Sequence, residues 1–286
     1  MGVYNPKIKE QLFDSVNSII DQTFRDWEMI IYDDGSEEQY VDMIKEAAAL
    51  DERIIYIRND VNHGLAYALN QCLQEAGGEY IARMDADDIS KPERLEKLYN
   101  FLCEHSEYEW AGSNSELFDE NGVWGTDQMQ EIPEEKDFLA YSPYIHPSVI
   151  FRKSVLDEMN GYKVSEETKR CEDYELFMRL HKAGYRGYNM QECLLLYRED
   201  YNAFQKRKYK YRVQEMKIRY RGFKNLGILR ADTVPYVLKP LATGLVPARF
   251  LQYIKKNTGK GYYVEQQRES QIGEIQKVSE NRSINV

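Results

Sequence analysis

The sequence lacks a long apolar run and lacks paired cysteines. No stretch approaches the roughly 18 apolar residues of a membrane-spanning helix, and no charged-then-apolar leader opens the chain. The four cysteines lie far apart without a CxxC pair, which argues against a zinc site and a disulfide framework. We therefore expect a cytoplasmic protein that is soluble or attached peripherally to a membrane.

The sequence also lacks the glycine motifs of the common nucleotide-binding folds. Neither GxxxxGK[ST] nor GxGxxG occurs, so the Walker and Rossmann modes of phosphate binding are not predicted. If the protein binds a nucleotide diphosphate, a metal ion must supply most of the phosphate recognition.

Charge is divided unevenly along the chain. The net charge is −10, yet residues 203–260 hold 15 Lys or Arg against two acids, which leaves residues 1–202 at −22. Such a shift predicts a domain boundary near residue 202. We expect one large domain over 1–202, a basic amphipathic helical extension over 203–258 and a polar, disordered tail over 259–286.

Strand-like and helix-like segments alternate along the first domain. Residues 29–32, 54–57 and 79–84 have strand character, and a stretch with apolar residues at helical spacing follows each of them. Parallel strands need such crossover helices. The pattern predicts an α/β fold with a doubly wound, mostly parallel sheet flanked by helices.

Three carboxylates, Asp85, Asp87 and Asp88, follow the third of these strands. The Ser-Lys-Pro-Glu sequence at 90–93 predicts a capping box with proline at the first helical position. The acids would then lie at the carboxyl edge of the sheet, where open α/β sheets bind ligands. Because carboxylates packed this closely repel one another and Mg²⁺ or Mn²⁺ prefers oxygen ligands, the cluster indicates a divalent-metal site. A solvated acidic turn is the structural alternative.

Two further acidic pairs are candidates for function. Asp33 and Asp34 end the strand at 29–32, and Glu172 and Asp173 begin an amphipathic helical stripe. Both pairs have a structural alternative, because Asp is common in turns and acids are favoured in the first turn of a helix.

These motifs, in this order, resemble the inverting family 2 glycosyltransferases of the GT-A fold. The resemblance runs from Gly2 to about Arg198 and implies a nucleotide-sugar half at about 1–112 and an acceptor half at about 113–202. It rests on Val3-Tyr4-Asn5, Gln22-Thr23-Phe24, Asp33-Asp34-Gly35-Ser36, Asn62-His63-Gly64-Leu65-Ala66, Ala82-Arg83-Met84-Asp85-Ala86-Asp87-Asp88, Pro92-Glu93-Arg94-Leu95, His146-Pro147-Ser148, Gly161-Tyr162 and Glu172-Asp173-Tyr174-Glu175-Leu176.

The resemblance also implies site residues. Asp173 would be the general base, and Asp87 with Asp85 would bind the divalent metal, Mn²⁺ or Mg²⁺. His146 and Glu172 would lie on the acceptor side. The nucleotide sugar would contact Val3, Tyr4, Asn5, Asp34, Asn62, Gly64, Arg83 and Asp85, with Asp34 at the base and Asp33 supporting the turn.

The activity implied by the resemblance is metal-dependent, inverting sugar transfer in cell-surface polysaccharide biosynthesis. A UDP sugar is the expected donor, and a glycan or a polyprenyl-diphosphate-linked glycan is the expected acceptor, at the inner face of the plasma membrane. One alternative is a catalytically impaired carbohydrate-binding or scaffold relative. A sugar nucleotidylyltransferase is another, although Val3-Tyr4-Asn5-Pro6 is not its glycine-rich, lysine-containing phosphate loop.

The beginning and the basic extension each carry an expectation of their own. Only Met1 and Gly2 precede the Val3 loop, where the family has a complete apolar strand, so we expect a truncated first strand.

Residues 205–227 and 234–256 are predicted to be basic helices, which suits an anionic membrane surface. Packing on the catalytic domain is the alternative, and no nucleic-acid binding is expected beside a domain at −22.

Overall fold

The computed structural model describes residues 1–199 and 208–258. The expected boundary near residue 202 and the expected tail at 259–286 lie outside the described residues. The strands are β1 Gly2–Val3, β2 Met29–Asp34, β3 Ile54–Asn59, β4 Tyr80–Ala82, β5 Ile89–Ser90, β6 Trp110–Asp119, β7 Gly122–Asp127, β8 Ile150–Arg152 and β9 Gly187–Arg198. The helices are α1 Lys9–Ile20, α2 Glu38–Ala48, α3 Leu65–Glu75, α4 Arg94–Glu104, α5 Lys153–Glu158, α6 Glu172–Lys182, α7 Tyr209–Asn225, α8 Val234–Gly244 and α9 Ala248–Thr258.

The first sheet is parallel, in the order β1-β2-β3. Helices α1 and α2 are the crossovers between these strands, as the alternating pattern predicts. Strand β1 has only two residues in this chain, and Gly2 and Val3 lie opposite Tyr32 and Asp33 of β2. The short first strand that the sequence predicts is therefore present, and it places the Val3 loop beside the end of β2.

The second sheet is mixed, in the order β4-β8-β6-β9-β5, with β7 paired to β6. Only the β6–β9 pairing is parallel, and the other pairings in this sheet are antiparallel. The prediction of a mostly parallel sheet holds for the first sheet and is wrong for the second. The β6–β7 pairing is antiparallel because these two strands form a hairpin, which needs no crossover helix, and β8 is antiparallel to both of its neighbours, β4 and β6.

Ser90 does not begin a helix, so the predicted capping box is wrong. It lies in β5, and its hydroxyl accepts hydrogen bonds from Gln22 Nε2 (3.0 Å) and Arg94 Nε (2.7 Å). Helix α4 begins at Arg94, two residues after Pro92. Because the Ser90 hydroxyl is hydrogen-bonded to the side chains of Gln22 and Arg94, it does not cap a helix.

The basic extension packs against the catalytic domain through one face. Ile218 and Phe223 of α7 and Val237 of α8 are buried in the same core as Trp110 and Phe177. The packing alternative is therefore correct for these faces. The region predicted as one helix over 234–256 is two helices, α8 and α9, which are separated at Leu245 to Pro247. Among the described residues, every helix is too short or too polar to cross a bilayer.

Candidate active site

The turn after β2 is tied to the loop after β1. Asp33 accepts hydrogen bonds from the Ser36 N–H (2.9 Å) and the Tyr56 hydroxyl (3.1 Å), and so supports the turn. The Asn5 N–H donates to Ser36 Oγ (2.9 Å), and the Glu37 N–H donates to Asn5 Oδ1 (2.8 Å). Val3 is buried, whereas the Tyr4 ring is exposed. Two of the predicted nucleotide-binding segments therefore lie side by side at the carboxyl edge of the first sheet.

Asp34 holds a third predicted segment. Its buried carboxylate accepts hydrogen bonds from Asn62 Nδ2 (2.9 Å), the His63 N–H (3.0 Å) and the Gly64 N–H (2.7 Å). Gly64 immediately precedes α3, so the carboxylate also satisfies free N–H groups at the positive end of that helix. Asp34 thus holds the loop at 62–64 against the turn after β2, and its contact with a nucleotide base remains a prediction.

Substitution of Gly35 tests how closely the backbone at Val61 and Asn62 packs on the turn after β2. Its φ is +72°, and an added Cβ would lie 2.5 Å from the Val61 carbonyl carbon and 2.6 Å from the Asn62 nitrogen. We expect Gly35→Ala to destabilise the protein by about 1–3 kcal/mol beyond the strain of a positive φ, and to weaken UDP binding. Urea unfolding and calorimetric titration would measure the two effects.

The matched control for that substitution is Gly122→Ala. Gly122 also has a positive φ, +105°, but an added Cβ would meet nothing within 4 Å. Gly122→Ala should therefore lose only the stability that corresponds to the strain of a positive φ. Equal losses of stability in the two variants would contradict the close packing of the Asn62 loop on Gly35.

Hydrogen bonds from α1 and from the end of β9 hold the acid cluster in place. The Ser15 hydroxyl of α1 donates to the Asp85 carbonyl oxygen (2.7 Å). Arg198, at the end of β9, donates its N–H to Asp88 Oδ1 (2.8 Å) and its Nε–H to the Asp87 carbonyl oxygen (2.9 Å). Carboxylate oxygens of Asp85, Asp87 and Asp88 all lie within 4.8 Å of one another.

This cluster has the electrostatics of a cation site. Burial and the charges of Asp85 and Asp87 raise the pKa of Asp88 well above its usual range. Asp88 Oδ2 is buried without a hydrogen-bond partner in the described part of the chain. A hard divalent cation would relieve both costs, so the residues fit Mg²⁺ or Mn²⁺. The sequence places Asp88 in the predicted metal cluster, whereas the family resemblance implies only Asp85 and Asp87 as ligands.

Arg83 lies behind the cluster rather than at its surface. The guanidinium is buried and forms an ion pair with Asp85. Its carbonyl oxygen accepts a hydrogen bond from Arg94 Nη1 (3.2 Å), which also donates to the Pro147 carbonyl oxygen (3.0 Å). Arg83 therefore balances part of the negative charge from inside the protein.

Asp173 lies in the first turn of α6 and has the pKa of a base that works near neutrality. Burial and the charge of Glu172 raise the pKa of Asp173 to about 6, against the opposing effects of backbone N–H groups and Arg83. Burial raises the pKa of the Tyr162 hydroxyl above its usual range, and the charges of Arg83, Asp173 and Asp85 all act on it. The predicted base and the acid cluster therefore share one neighbourhood.

Tyr162 lies near the predicted base and the acid cluster, and the sequence analysis gave it no role. Its backbone is held by Asn70 of α3, which donates Nδ2 to the Tyr162 carbonyl oxygen (2.8 Å) and accepts the Tyr162 N–H (2.7 Å). Its hydroxyl is hydrogen-bonded to His146 Nε2 (2.7 Å). The Gly161-Tyr162 pair within the resembling segments was the available signal.

The two predicted acceptor-side residues are both buried. Burial and the charge of Arg83 lower the pKa of His146 well below its usual range, so the ring is neutral. Glu172 is the first residue of α6 and acts on Asp173 through its charge. The acceptor-side role of both residues remains a prediction.

Comparison with known proteins places the chain beside glycosyltransferases. The profile described as "Glycosyl transferase family 2" matches residues 1–159. The chain is 37% identical over 258 residues to "Putative glycosyltransferase EpsE" of Bacillus subtilis (strain 168), covering 90% of this chain and 92% of the relative. It is 31% identical over 205 residues to "Putative teichuronic acid biosynthesis glycosyltransferase TuaG" of the same strain, covering 71% and 79%.

A more distant relative has a more specific name. The chain is 26% identical over 262 residues to "UDP-Gal:alpha-D-GlcNAc-diphosphoundecaprenol beta-1,3-galactosyltransferase" of Escherichia coli, covering 90% of this chain and 94% of the relative.

Solved structures share the GT-A fold. TarS residues 1–349 of S. aureus, in complex with UDP-GlcNAc, superposes with a TM-score of 0.57 at 17% identity, covering 87% of this chain and 80% of that chain. The mannosyltransferase PcManGT of Pyrobaculum calidifontis, in complex with GDP-Man and Mn²⁺, gives a TM-score of 0.59 at 16% identity, covering 90% and 78%.

Proposed function

The chain belongs to glycosyl transferase family 2, and from that membership we propose that it transfers a sugar from a UDP sugar to a glycan or lipid-linked acceptor with inversion at the anomeric carbon. The observation that carries the proposal is that Asp173, with its pKa at about 6, shares a neighbourhood with the acid cluster through Arg83 and Tyr162. Inverting transfer needs a base on one side of the sugar and charge neutralisation on the other.

Asp173 supplies the base. The ionised carboxylate accepts the proton of the acceptor hydroxyl while that oxygen bonds to the anomeric carbon and the bond from that carbon to the diphosphate breaks. The group is ionised at neutral pH yet basic enough to receive a proton, which is the condition for efficient general-base catalysis.

The acid cluster serves the leaving diphosphate. Asp85 and Asp87 would hold a divalent cation, and the buried Asp88 oxygen would support the same cation. When bound, such a cation would stabilise the negative charge that develops on the departing nucleoside diphosphate. UDP-GlcNAc in TarS, and GDP-Man with Mn²⁺ in PcManGT, support this class of donor and cofactor.

The pH dependence of transfer follows from the pKa of Asp173. Only the ionised carboxylate can act as a base, so kcat/KM should rise about tenfold per pH unit below pH 6 and level off above it. Because the charge of Glu172 raises this pKa, Glu172→Gln should move the midpoint to lower pH. Initial rates between pH 4.5 and 8 would be measured, with the exposed Glu166→Gln as control. A midpoint unchanged in Glu172→Gln would remove Asp173 as the titrating group.

We further propose that the acceptor is a glycan on a polyprenyl diphosphate carrier in cell-surface polysaccharide biosynthesis. The name of the galactosyltransferase relative includes a GlcNAc-diphosphoundecaprenol acceptor and supports this acceptor class, and the name of TuaG supports a role in polysaccharide biosynthesis. Such a carrier resides in a membrane, and the basic extension would hold the enzyme at its cytoplasmic face. Incubation with a panel of UDP sugars and a synthetic lipid diphosphate glycan, followed by mass analysis, tests the donor and acceptor. NMR of the product tests inversion.

A further inference from the structure

A groove lies between α7, the loop that follows it, and α8. Its volume is about 670 Å³, which is within the roughly 300–1,000 Å³ of pockets that bind small molecules. Apolar side chains form much of its lining, and three cations, Lys217, Arg221 and Arg230, contribute to the same lining. The apolar and aromatic lining residues are Met216, Tyr220, Leu229, Ala231, Val234, Val237 and Leu238.

The groove belongs to the most apolar exposed region of the described chain. The described residues include sixteen large apolar side chains that are exposed. Eight of these lie in residues 208–258, which are only about a fifth of the described residues. Tyr220, Val234 and Leu238 line the groove itself, whereas Leu245 and Phe250 follow α8 along the chain. Apolar side chains gathered in this way mark an interaction surface.

The charge of this region selects the kind of partner. Residues 208–258 hold 12 Lys or Arg and two acids, Glu215 and Asp232. In the groove, Arg221 is paired with Glu167 and Arg230 with Asp232, and these side chains are all more than 40% exposed. Exposed ion pairs contribute little stability, so a phosphate can replace either acid at small cost.

From these features we infer that the α7–α8 groove binds an anionic phospholipid of a bilayer, with the acyl chain on the apolar lining and the phosphate at Lys217, Arg221 and Arg230. The inference rests on the membrane attachment proposed above and assigns it to one site. The apolar floor and cationic rim match the two parts of such a lipid, whereas a free phosphate would leave the floor uncovered.

Vesicle binding tests the inference. The full chain would be sedimented, without donor sugar, with vesicles of phosphatidylcholine alone or mixed equally with phosphatidylglycerol. We expect binding to the anionic vesicles, a loss of at least tenfold in the Val234→Asp/Leu238→Asp variant, and a loss of about fivefold in Lys217→Gln. The apolar pair is 42% and 47% exposed, so both aspartates can be accommodated at the surface.

Matched controls lie in the nucleotide half. Leu50 and Ile8 are 42% and 45% exposed, so Leu50→Asp/Ile8→Asp adds the same charge to side chains of similar exposure, and Lys45→Gln matches Lys217→Gln. All controls should bind vesicles like the unmodified chain. A melting temperature close to that of the unmodified chain shows that each variant is folded, and Val234→Ser/Leu238→Ser replaces the aspartate pair if that pair does not fold.

A short-chain lipid separates the groove from a general surface effect. Dihexanoyl phosphatidylglycerol below its micelle concentration should bind at one site in titration calorimetry, and glycerol phosphate should not. Vesicle binding that is equal in the groove variants and the controls would overturn the groove while leaving membrane attachment in place. Absence of vesicle binding by the unmodified chain would overturn both, and neither result depends on sugar transfer.

Discussion

Replacing Asp173 by asparagine should leave UDP binding intact and lower sugar transfer by about 10²–10⁴-fold, the usual contribution of a positioned base. Asparagine has nearly the same shape but cannot accept the proton of the acceptor hydroxyl. Burial raises the pKa of Asp173 to about 6, so the folded protein disfavours its charge. That charge destabilises the folded state above the unfolded pKa, and the melting temperature at pH 7 should therefore not fall in Asp173→Asn.

Asp157→Asn is the matched control for this substitution. Asp157 is an exposed acid of α5, and its replacement should change neither binding nor turnover. Rates with saturating donor and acceptor, and calorimetric titration of UDP, give the two readouts. Near-normal turnover in Asp173→Asn would show that another group receives the proton.

Replacing Asp87 by alanine should remove the metal dependence of both binding and transfer. The cation is expected to contribute several kcal/mol at the leaving diphosphate, and each 1.36 kcal/mol is tenfold in rate, so transfer should fall by about 10²-fold or more. UDP affinity in Mn²⁺ should fall to the value measured with a chelator. Asp87 is a cleaner target than Asp85, whose removal would leave the buried Arg83 without its ion pair.

The control for Asp87→Ala is Asp42→Ala, on the exposed side of α2. It removes one negative charge without touching the cluster, so Mn²⁺ should still strengthen UDP binding. If Asp87→Ala keeps the full response to Mn²⁺, the cation does not bind at Asp85 to Asp88.

The nucleotide half was predictable because its signals are local. The apolar stretches at helical spacing that follow the strands at 29–32 and 54–57 are helices α2 and α3, and each acidic segment lies at the end of a strand or within three residues of it. The start of α4 was not predictable in the same way. The Ser90 hydroxyl accepts hydrogen bonds from Gln22 and Arg94 instead of capping a helix. Gln22 is distant in sequence, so the local pattern at 90–93 does not reveal this contact.

The acceptor half was less predictable because its pairings are distant. Strand β6 lies between β8 and β9, and no periodicity in 110–198 reports that order. The same limit applies to Tyr162, whose importance comes from burial beside Asp173 and from its contact with His146. The amphipathic pattern after residue 208 is the same whether the apolar face packs on the protein or on a membrane. The structure separates the two cases, because Phe223 is buried in the core and Phe250 is exposed.

The measurement that tests the central claim most directly is product detection by mass, with a panel of UDP sugars, a lipid diphosphate glycan and Mn²⁺. We predict an acceptor heavier by one sugar with the unmodified chain, and no such product with a chelator or with Asp173→Asn. Binding of UDP without any transfer across the panel, or transfer that persists in Asp173→Asn, would contradict the claim that Asp173 and the acid cluster form one glycosyltransferase site.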